Sequence, residues 1–168
     1  VTKREDVLAG EEPLEIRVEG RSFTVTMRTP GDDFDLVAGF LVSEGIIWEP
    51  GQLVSLRYCA GVDDSGQQTF NVVDVQLRPG TALPDTSMER HVYTSSSCGI
   101  CGTASIEAVR KSSHFSVGDD DVRVPLLTLA GLPERLRQEQ KVFDRTGGVH
   151  AAGLFTAEGE LLCLREDV

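Results

Sequence analysis

The stretch that decides the fold is "PLEIRVEGRSFTVTMRTP", residues 13–30. Alternation of apolar and polar side chains with a period of two places the apolar set on one face of a strand, and a glycine-containing pair between two such runs favours a tight turn. The stretch therefore predicts a β-hairpin that turns at Glu19-Gly20. Its apolar positions are Leu14, Ile16 and Val18 before the turn, and Phe23, Val25 and Met27 after it.

A helix is predicted to follow this hairpin over "GDDFDLVAGFLVSEGII", residues 31–47. Asp32 or Asp33 can cap the first turn of the helix, and Gly45 can end it. Apolar residues recur with helical spacing and therefore share one face of the helix. They are Leu36, Val37, Phe40 and Leu41.

Two further strands are predicted around residues 53–59 and 70–77, on either side of the polar loop "GVDDSGQQ". The resulting ββαββ order predicts a small N-terminal α+β domain, residues 1–80, in which one helix covers one face of a sheet. Residues 81–91 show no hydrophobic periodicity and are predicted to form a linker.

The second domain is predicted to span residues 92–168, and it opens with the helix that follows "TSSSCGICG". A helical region runs from Pro125 to about Arg145, and Pro133 is suited to the start of a second helix within it. A Gly-Gly pair then stops the helix, and "VHAAGLF" and "ELLCLRE" read as a hairpin. This order favours an α/β layer that is incomplete at its C-terminus.

The composition excludes several classes of function. The 168 residues include 27 acidic and 16 basic side chains, a formal net charge of −11, which argues against binding of nucleic acid. No apolar run reaches the roughly 18 residues that a membrane span needs, so no membrane association is expected. The N-terminal "VTKREDVLAGEEP" has no apolar core of the signal-peptide type, and a cytoplasmic location is therefore expected.

The chain contains four cysteines, and two of them have a spacing that suggests chemistry. Cys98 and Cys101 form a C-x-x-C motif at the mouth of the predicted helix, where backbone N–H groups stabilise an anionic thiolate. Cys59 and Cys163 lie in apolar, strand-like runs and are expected to be small buried residues. The motif predicts a reactive thiolate that is accessible to solvent.

Three uses of the thiol pair remain open on the residues alone. A structural zinc site needs four ligands, whereas only one C-x-x-C pair is present and the histidines at 91, 114 and 150 are scattered. A thiol-disulfide oxidoreductase of the thioredoxin type has an aromatic residue before its first cysteine, where this chain has Ser97. The third use is the carriage of sulfur as a persulfide.

Five segments, in order and from about Glu12 to Val168, resemble the FdhD/NarQ family of formate dehydrogenase accessory sulfurtransferases. The resemblance implies that the second domain has a cytidine-deaminase-like fold. Zinc-dependent deamination itself is not expected, because Ser97 precedes Cys98 and no H-x-E motif comes before the cysteines. The segments are "EEPLEIRV", "MRTPGDDFDLVAGFLVSEGII", "SSSCGICG", "VFDRTGGVHAAGLF" and "GELLCLREDV".

The resemblance also implies a reaction and its partners. A protein of this family accepts sulfur from a cysteine desulfurase and passes it to the molybdenum or tungsten of a bis-guanine-dinucleotide pterin cofactor, which then enters formate dehydrogenase. The cofactor is thus a substrate, and no permanently bound cofactor or metal is implied. A homodimer is the family expectation, and a pure cofactor chaperone that never bears sulfur is the alternative.

Carried over to this chain, the resemblance makes Cys98 the persulfide-bearing residue and Cys101 a supporting or second sulfur carrier. His150 has an alternative interpretation as a core residue, and Arg165 has one as half of an ion pair with Asp167. Because the chain starts at Val and stops after a strand-like run, it is expected to be a fragment that lacks part of the nucleotide-binding surface. The residues expected near the guanine-nucleotide ligand are Arg145, Thr146, Gly148, His150 and Arg165.

Overall fold

The computed structural model of the protein describes residues 5–59, 61, 65–83, 114–115 and 118–168. It shows a mixed α and β fold in two compact units. The sheet unit is Glu12–Phe115, and the helix–hairpin unit combines Val1–Glu11 with Ser116–Val168. Cys98, Cys101 and the helix predicted after them lie outside the described residues, as does most of the predicted linker, and the domain boundaries drawn at residues 80 and 92 stay a prediction.

The sheet unit follows the predicted ββαββ order, which is confirmed. Among its described residues, four strands are arranged in the order β2-β1-β4-β3, with β1 antiparallel to β2, β3 antiparallel to β4, and the two central strands parallel to each other. A 3-10 helix at Pro50–Gln52 leads into β3. The elements are β1 Glu12–Val18, β2 Arg21–Arg28, helix α1 Asp33–Ser43, β3 Leu53–Tyr58 and β4 Val72–Leu77.

The core of the sheet unit lies between α1 and one face of the two central strands. Alternating residues of each strand share a face, so a run with period two buries every second side chain. α1 supplies Val37 and Leu41 to this core, with Leu36 and Phe40 partly buried beside them, as the helical spacing predicts. The strands supply Leu14, Ile16 and Val18 from β1, and Val73, Val75 and Leu77 from β4.

The face of β2 differs from the prediction. Val25 and Met27 are only partly buried, whereas Thr24 and Arg28 are buried. The reason is a shift of register between Ile16 and Arg17, which pairs Thr24 directly with buried Ile16. Directly paired residues project from the same face of a sheet, so the inward positions of β2 move by one residue.

The ends of the predicted elements are largely confirmed. Glu19 and Gly20 both have positive φ, 52° and 75°, which is the geometry of a two-residue type I′ turn. Gly45, with φ of 71°, follows the end of α1. The predicted side-chain cap is wrong, because the Asp32 carboxylate makes no capping hydrogen bond and the Asp33 carboxylate is bound elsewhere.

The helix–hairpin unit consists of two helices and a two-stranded antiparallel sheet. Pro133 lies inside α2 and does not begin a second helix, so that prediction is wrong; the break falls at Gln140, whose ψ is 83°. Within the described part of this unit the sheet has two strands, and the cytidine-deaminase-like fold stays a prediction. The elements are α2 Leu126–Glu139, α3 Lys141–Thr146, β5 His150–Phe155 and β6 Leu161–Asp167.

We expect Gly159→Ala to destabilise the turn between β5 and β6. Gly159 has φ of 86°, and an added Cβ would lie 2.8 Å from Thr128 Cγ2 and 2.6 Å from Arg135 Nη1. The left-handed backbone of the alanine and the overpacking around its Cβ should together lower the free energy of unfolding by roughly 2–4 kcal/mol. Hydrogen–deuterium exchange of the β5 and β6 amides measures this loss locally.

Two other glycines of the same unit separate the two causes. Gly147 has φ of 66° but open space around its Cβ position, so Gly147→Ala should show the backbone cost alone. Gly131 lies within α2 with open space, and Gly131→Ala should gain up to about 1 kcal/mol. Equal exchange in the Gly159 and Gly147 variants would contradict the packing argument.

Candidate functional site

The predicted nucleotide-contact residues gather around the β5–β6 hairpin and the loop before it. His150 is paired with Asp167, Ala152 with Arg165, and Leu154 with Cys163. Paired residues of antiparallel strands project from one face, so His150, Arg165 and Cys163 share a face, which we call the open hairpin face. All three residues are exposed.

The exposure of this face corrects two interpretations. His150 is exposed, which contradicts its reading as a core histidine. Cys163 is exposed as well, so the prediction of a buried residue is wrong. The physical reason is that the opposite face of the hairpin packs on α2, where the Cβ position of Gly153 lies 2.6 Å from Leu136 Cδ1. Cys59, directly after β3 in the other unit, is of intermediate exposure.

The loop between α3 and β5 places the other predicted contacts. The Thr146 hydroxyl donates to the Val142 carbonyl at 2.9 Å and accepts from the Gly148 amide at 3.2 Å. Arg145 is exposed in the last turn of α3. The structure thus links Thr146 with Gly148 by a hydrogen bond, brings His150 and Arg165 to one face, and places Arg145 on the helix that precedes them.

A carboxylate fixes the start of α3 to the hairpin. Glu166 Oε2 accepts from the Val142 amide and Oε1 from the Phe143 amide, each at 2.8 Å. Free N–H groups at the start of a helix are satisfied in this way by a side chain. Glu166 projects from the face of β6 opposite to Arg165, so the capping carboxylate lies off the open hairpin face, whereas Asp167 shares that face with Arg165 and His150.

The sheet unit contains a buried ion-pair network that the sequence analysis missed. Arg28 is 2% exposed, and its Nε lies 3.0 Å from Asp33 Oδ1, which is itself buried. Arg28 Nη1 also donates to Glu12 at 3.0 Å, and the Tyr58 hydroxyl donates to Asp33 Oδ2 at 3.0 Å. The signal available in the sequence was an arginine at the end of a predicted strand, Arg28, followed closely by three aspartates in "MRTPGDDFD".

This network raises the pKa of Tyr58, first through burial and then through the hydrogen bond to Asp33. Because the folded state holds the phenolic proton more tightly, this stabilisation is complete below the ordinary pKa of about 10 and is lost as pH rises through the folded value. We expect tyrosinate absorbance to show an ionisation later than that of a free tyrosine. Tyr58→Phe should remove this step, and a single ordinary step for both Tyr58 and Tyr93 would contradict it.

Two kinds of feature are absent from the described ranges. No group of three or more His, Cys, Asp or Glu side chains within them is arranged to hold a metal ion. Among the helices of these same ranges, none combines the length and apolar character needed to cross a membrane.

Comparisons with known proteins match nearly the whole chain. The profile of the FdhD/NarQ family matches residues 9–168. The "Sulfur carrier protein FdhD" of Streptomyces avermitilis is 57% identical over 100% of this chain and 60% of its own length. The protein of that name from Mycobacterium tuberculosis is 49% identical over 100% of this chain and 62% of its own. The chain therefore spans about three fifths of these relatives.

A solved structure resembles the fold. It is a proposed formate dehydrogenase accessory protein from Desulfotalea psychrophila, with a TM-score of 0.63 over 96% of this chain and 55% of that one. The sequence identity is 18%, so the likeness concerns the fold alone.

Proposed function

Because the chain belongs to the FdhD/NarQ family, we propose that it carries sulfur as a persulfide on Cys98. The sulfur comes from a cysteine desulfurase and goes to the molybdenum or tungsten of a bis-guanine-dinucleotide pterin cofactor before formate dehydrogenase takes that cofactor up. The observation that carries the proposal is the 57% identity to a sulfur carrier protein over the full length of this chain. This chain contains the C-x-x-C motif at Cys98 and Cys101.

The transfer needs no external oxidant. The Cys98 thiolate attacks the outer sulfur of the desulfurase persulfide, a new S–S bond forms on Cys98, and the desulfurase cysteine leaves as a thiolate. The outer sulfur would then pass to the metal of the cofactor, which would supply the two electrons that bring the sulfur to the sulfide level, while the S–S bond breaks and Cys98 returns to its thiolate form. Cys101 stands close enough in sequence to support this persulfide or to accept the sulfur in turn.

The cofactor is an anionic substrate, whereas the chain has a net charge of −11. Binding therefore requires a local cationic surface. Arg165 supplies one positive charge on the open hairpin face, beside His150 and Asp167, and the exposed Arg145 supplies another. Thr146 and Gly148 hold the loop between these side chains in one conformation. The proposal includes a homodimer, the cytidine-deaminase-like fold for the second domain, and the cytoplasm as the location, where thiols stay reduced.

Mass spectrometry tests the proposal directly. The purified chain is incubated with a cysteine desulfurase and free cysteine, alkylated and digested. We expect a gain of about 32 Da, the mass of one sulfur atom, on the peptide that carries Cys98. A loss of about 2 Da across Cys98 and Cys101 without the adduct would indicate a thiol-disulfide oxidoreductase instead. One zinc ion per chain, bound through these thiols, would also overturn the proposal.

A further inference from the structure

Three aromatic rings form a partly exposed patch on the sheet unit. Phe34 begins α1, Tyr58 ends β3, and Phe70 lies shortly before β4. The ring centroids of Phe34 and Tyr58 are 4.8 Å apart, and those of Tyr58 and Phe70 are 5.2 Å apart. Phe34 is 38% exposed and Phe70 47% exposed. We call these three residues the aromatic patch.

The buried ion pair beneath the aromatic patch holds its rings in place. The Tyr58 hydroxyl is hydrogen-bonded to Asp33, which is paired with Arg28. Arg28 Nη2 lies 3.5 Å from the Phe70 carbonyl and 3.4 Å from Asn71 Oδ1, so the same guanidinium fixes the backbone below the third ring. A surface whose rings are held before binding loses little conformational entropy when a partner arrives.

Phe70 has an unfavourable backbone conformation for a bulky residue. Its φ is 54°, in the left-handed region that bulky residues avoid. Burial does not account for phenylalanine at this position, since nearly half of the residue remains accessible to solvent. Residues kept in such conformations by their surroundings cluster at binding surfaces.

The charges around the aromatic patch indicate the kind of partner. Residues 29–56 contain five acidic side chains and no lysine or arginine, and the Arg57 that follows them is paired with Asp74. Asp35 directly follows Phe34 and Asp32 lies two residues before it; both are exposed, and Asp33 is buried and paired with Arg28. An apolar centre with an acidic rim attracts a basic surface and repels anions, including nucleotides and anionic lipids.

We propose that the aromatic patch docks a partner protein through an aliphatic or aromatic side chain flanked by lysine or arginine. Rigid aromatic side chains dominate the binding energy of protein interfaces, and the charged rim sets the choice of partner. The proposal concerns the sheet unit and involves no sulfur chemistry. Its failure would therefore leave the proposed function untouched, and the converse also holds.

Peptide binding, followed by fluorescence anisotropy, tests this docking surface. The probes are three labelled peptides: one with leucines flanked by lysines, one with the lysines replaced by glutamates, and one with the leucines replaced by alanines. We expect saturable binding of the first peptide alone. The affinity should fall when salt rises from about 0.05 M to about 0.5 M, because the charged rim is exposed. Phe34→Ala should weaken binding at least about tenfold.

Val42→Ala is the matched control, because Val42 is 48% exposed on the same helix, about 12 Å farther along its axis. The affinity of the Val42→Ala variant for the leucine–lysine peptide should equal that of the unmodified chain. The proposal is overturned by any of three results: no saturable binding, equal binding of the glutamate peptide, or equal loss in the two variants. Displacement of the peptide by GDP would also overturn it, since the patch would then be a nucleotide site. Circular dichroism of each variant confirms that it is folded.

Discussion

Cys98→Ala is expected to abolish the maturation of formate dehydrogenase while leaving the protein folded. Alanine removes the only atom of residue 98 that can accept the sulfur, so neither the adduct nor the handover can form. The measurement is the formate dehydrogenase activity of cells whose own copy of the gene is replaced by the variant. Activity should fall to that of cells lacking the protein, whereas the abundance of the variant, measured by immunoblot, should not change.

Cys163→Ala is the matched control for this experiment. Cys163 is an exposed thiol outside the C-x-x-C motif, so its loss tests whether any accessible cysteine can carry the sulfur. Full activity is expected for this variant, because alanine adds neither bulk nor charge to the open hairpin face that Cys163 shares with Arg165. Cys101→Ala separates a supporting cysteine, whose loss lowers activity, from a second obligatory carrier, whose loss removes it. Undiminished activity of Cys98→Ala would show that the protein acts as a cofactor chaperone without bearing sulfur.

Arg28→Met is expected to destabilise the sheet unit by about 3–5 kcal/mol, a factor of roughly 150 to 5,000 in the folded-to-unfolded ratio. The substitution leaves the buried Asp33 carboxylate without its positive partner in a place that water does not reach. Trp48 is the sole tryptophan and belongs to the same unit, so its fluorescence during urea unfolding reports on this loss.

Arg17→Met provides the comparison for Arg28→Met. Arg17 pairs with Glu15 two residues earlier on the same strand, but its side chain is 39% exposed, and such pairs contribute at most about 1 kcal/mol. A double variant that also replaces Asp33 by leucine should recover part of the loss, because no unpaired buried charge remains. Similar losses in Arg28→Met and Arg17→Met would show that the buried pair contributes no more than a surface pair.

Local sequence signals predicted the elements of the sheet unit because each element depends on neighbouring residues. The alternation around Glu19-Gly20 fixes a hairpin, and the spacing from Leu36 to Leu41 fixes the inner face of α1. The one-residue shift between Ile16 and Arg17 has no such signal, because it arises from the fit of two strands to each other. The same applies to the parallel pairing of β1 with β4, which joins residues far apart in the chain.

The same contrast between local and long-range signals applies to the candidate site. The C-x-x-C motif and the residues around His150 were found because they are contiguous in sequence and resemble family segments. The network of Arg28, Asp33 and Tyr58 was missed because its three members come from a strand, a helix and a second strand. Pro133 was misjudged for a related reason: a proline is usual at a helix start, but Leu132 and Leu136 on either side of it lie against the hairpin, so the helix continues through the proline.

The parallel contact at the centre of the sheet sets the order in which a growing polypeptide gains structure. As the ribosome releases the chain, β1 and β2 can pair as soon as both have emerged, since two residues separate them. The other edge of β1, however, has no partner strand until β4 has been synthesised. β4 ends at Leu77, more than fifty residues after the end of β1. Through that interval the nascent protein exposes an open strand to its neighbours, so slower synthesis between residues 29 and 77 should increase its demand for chaperones.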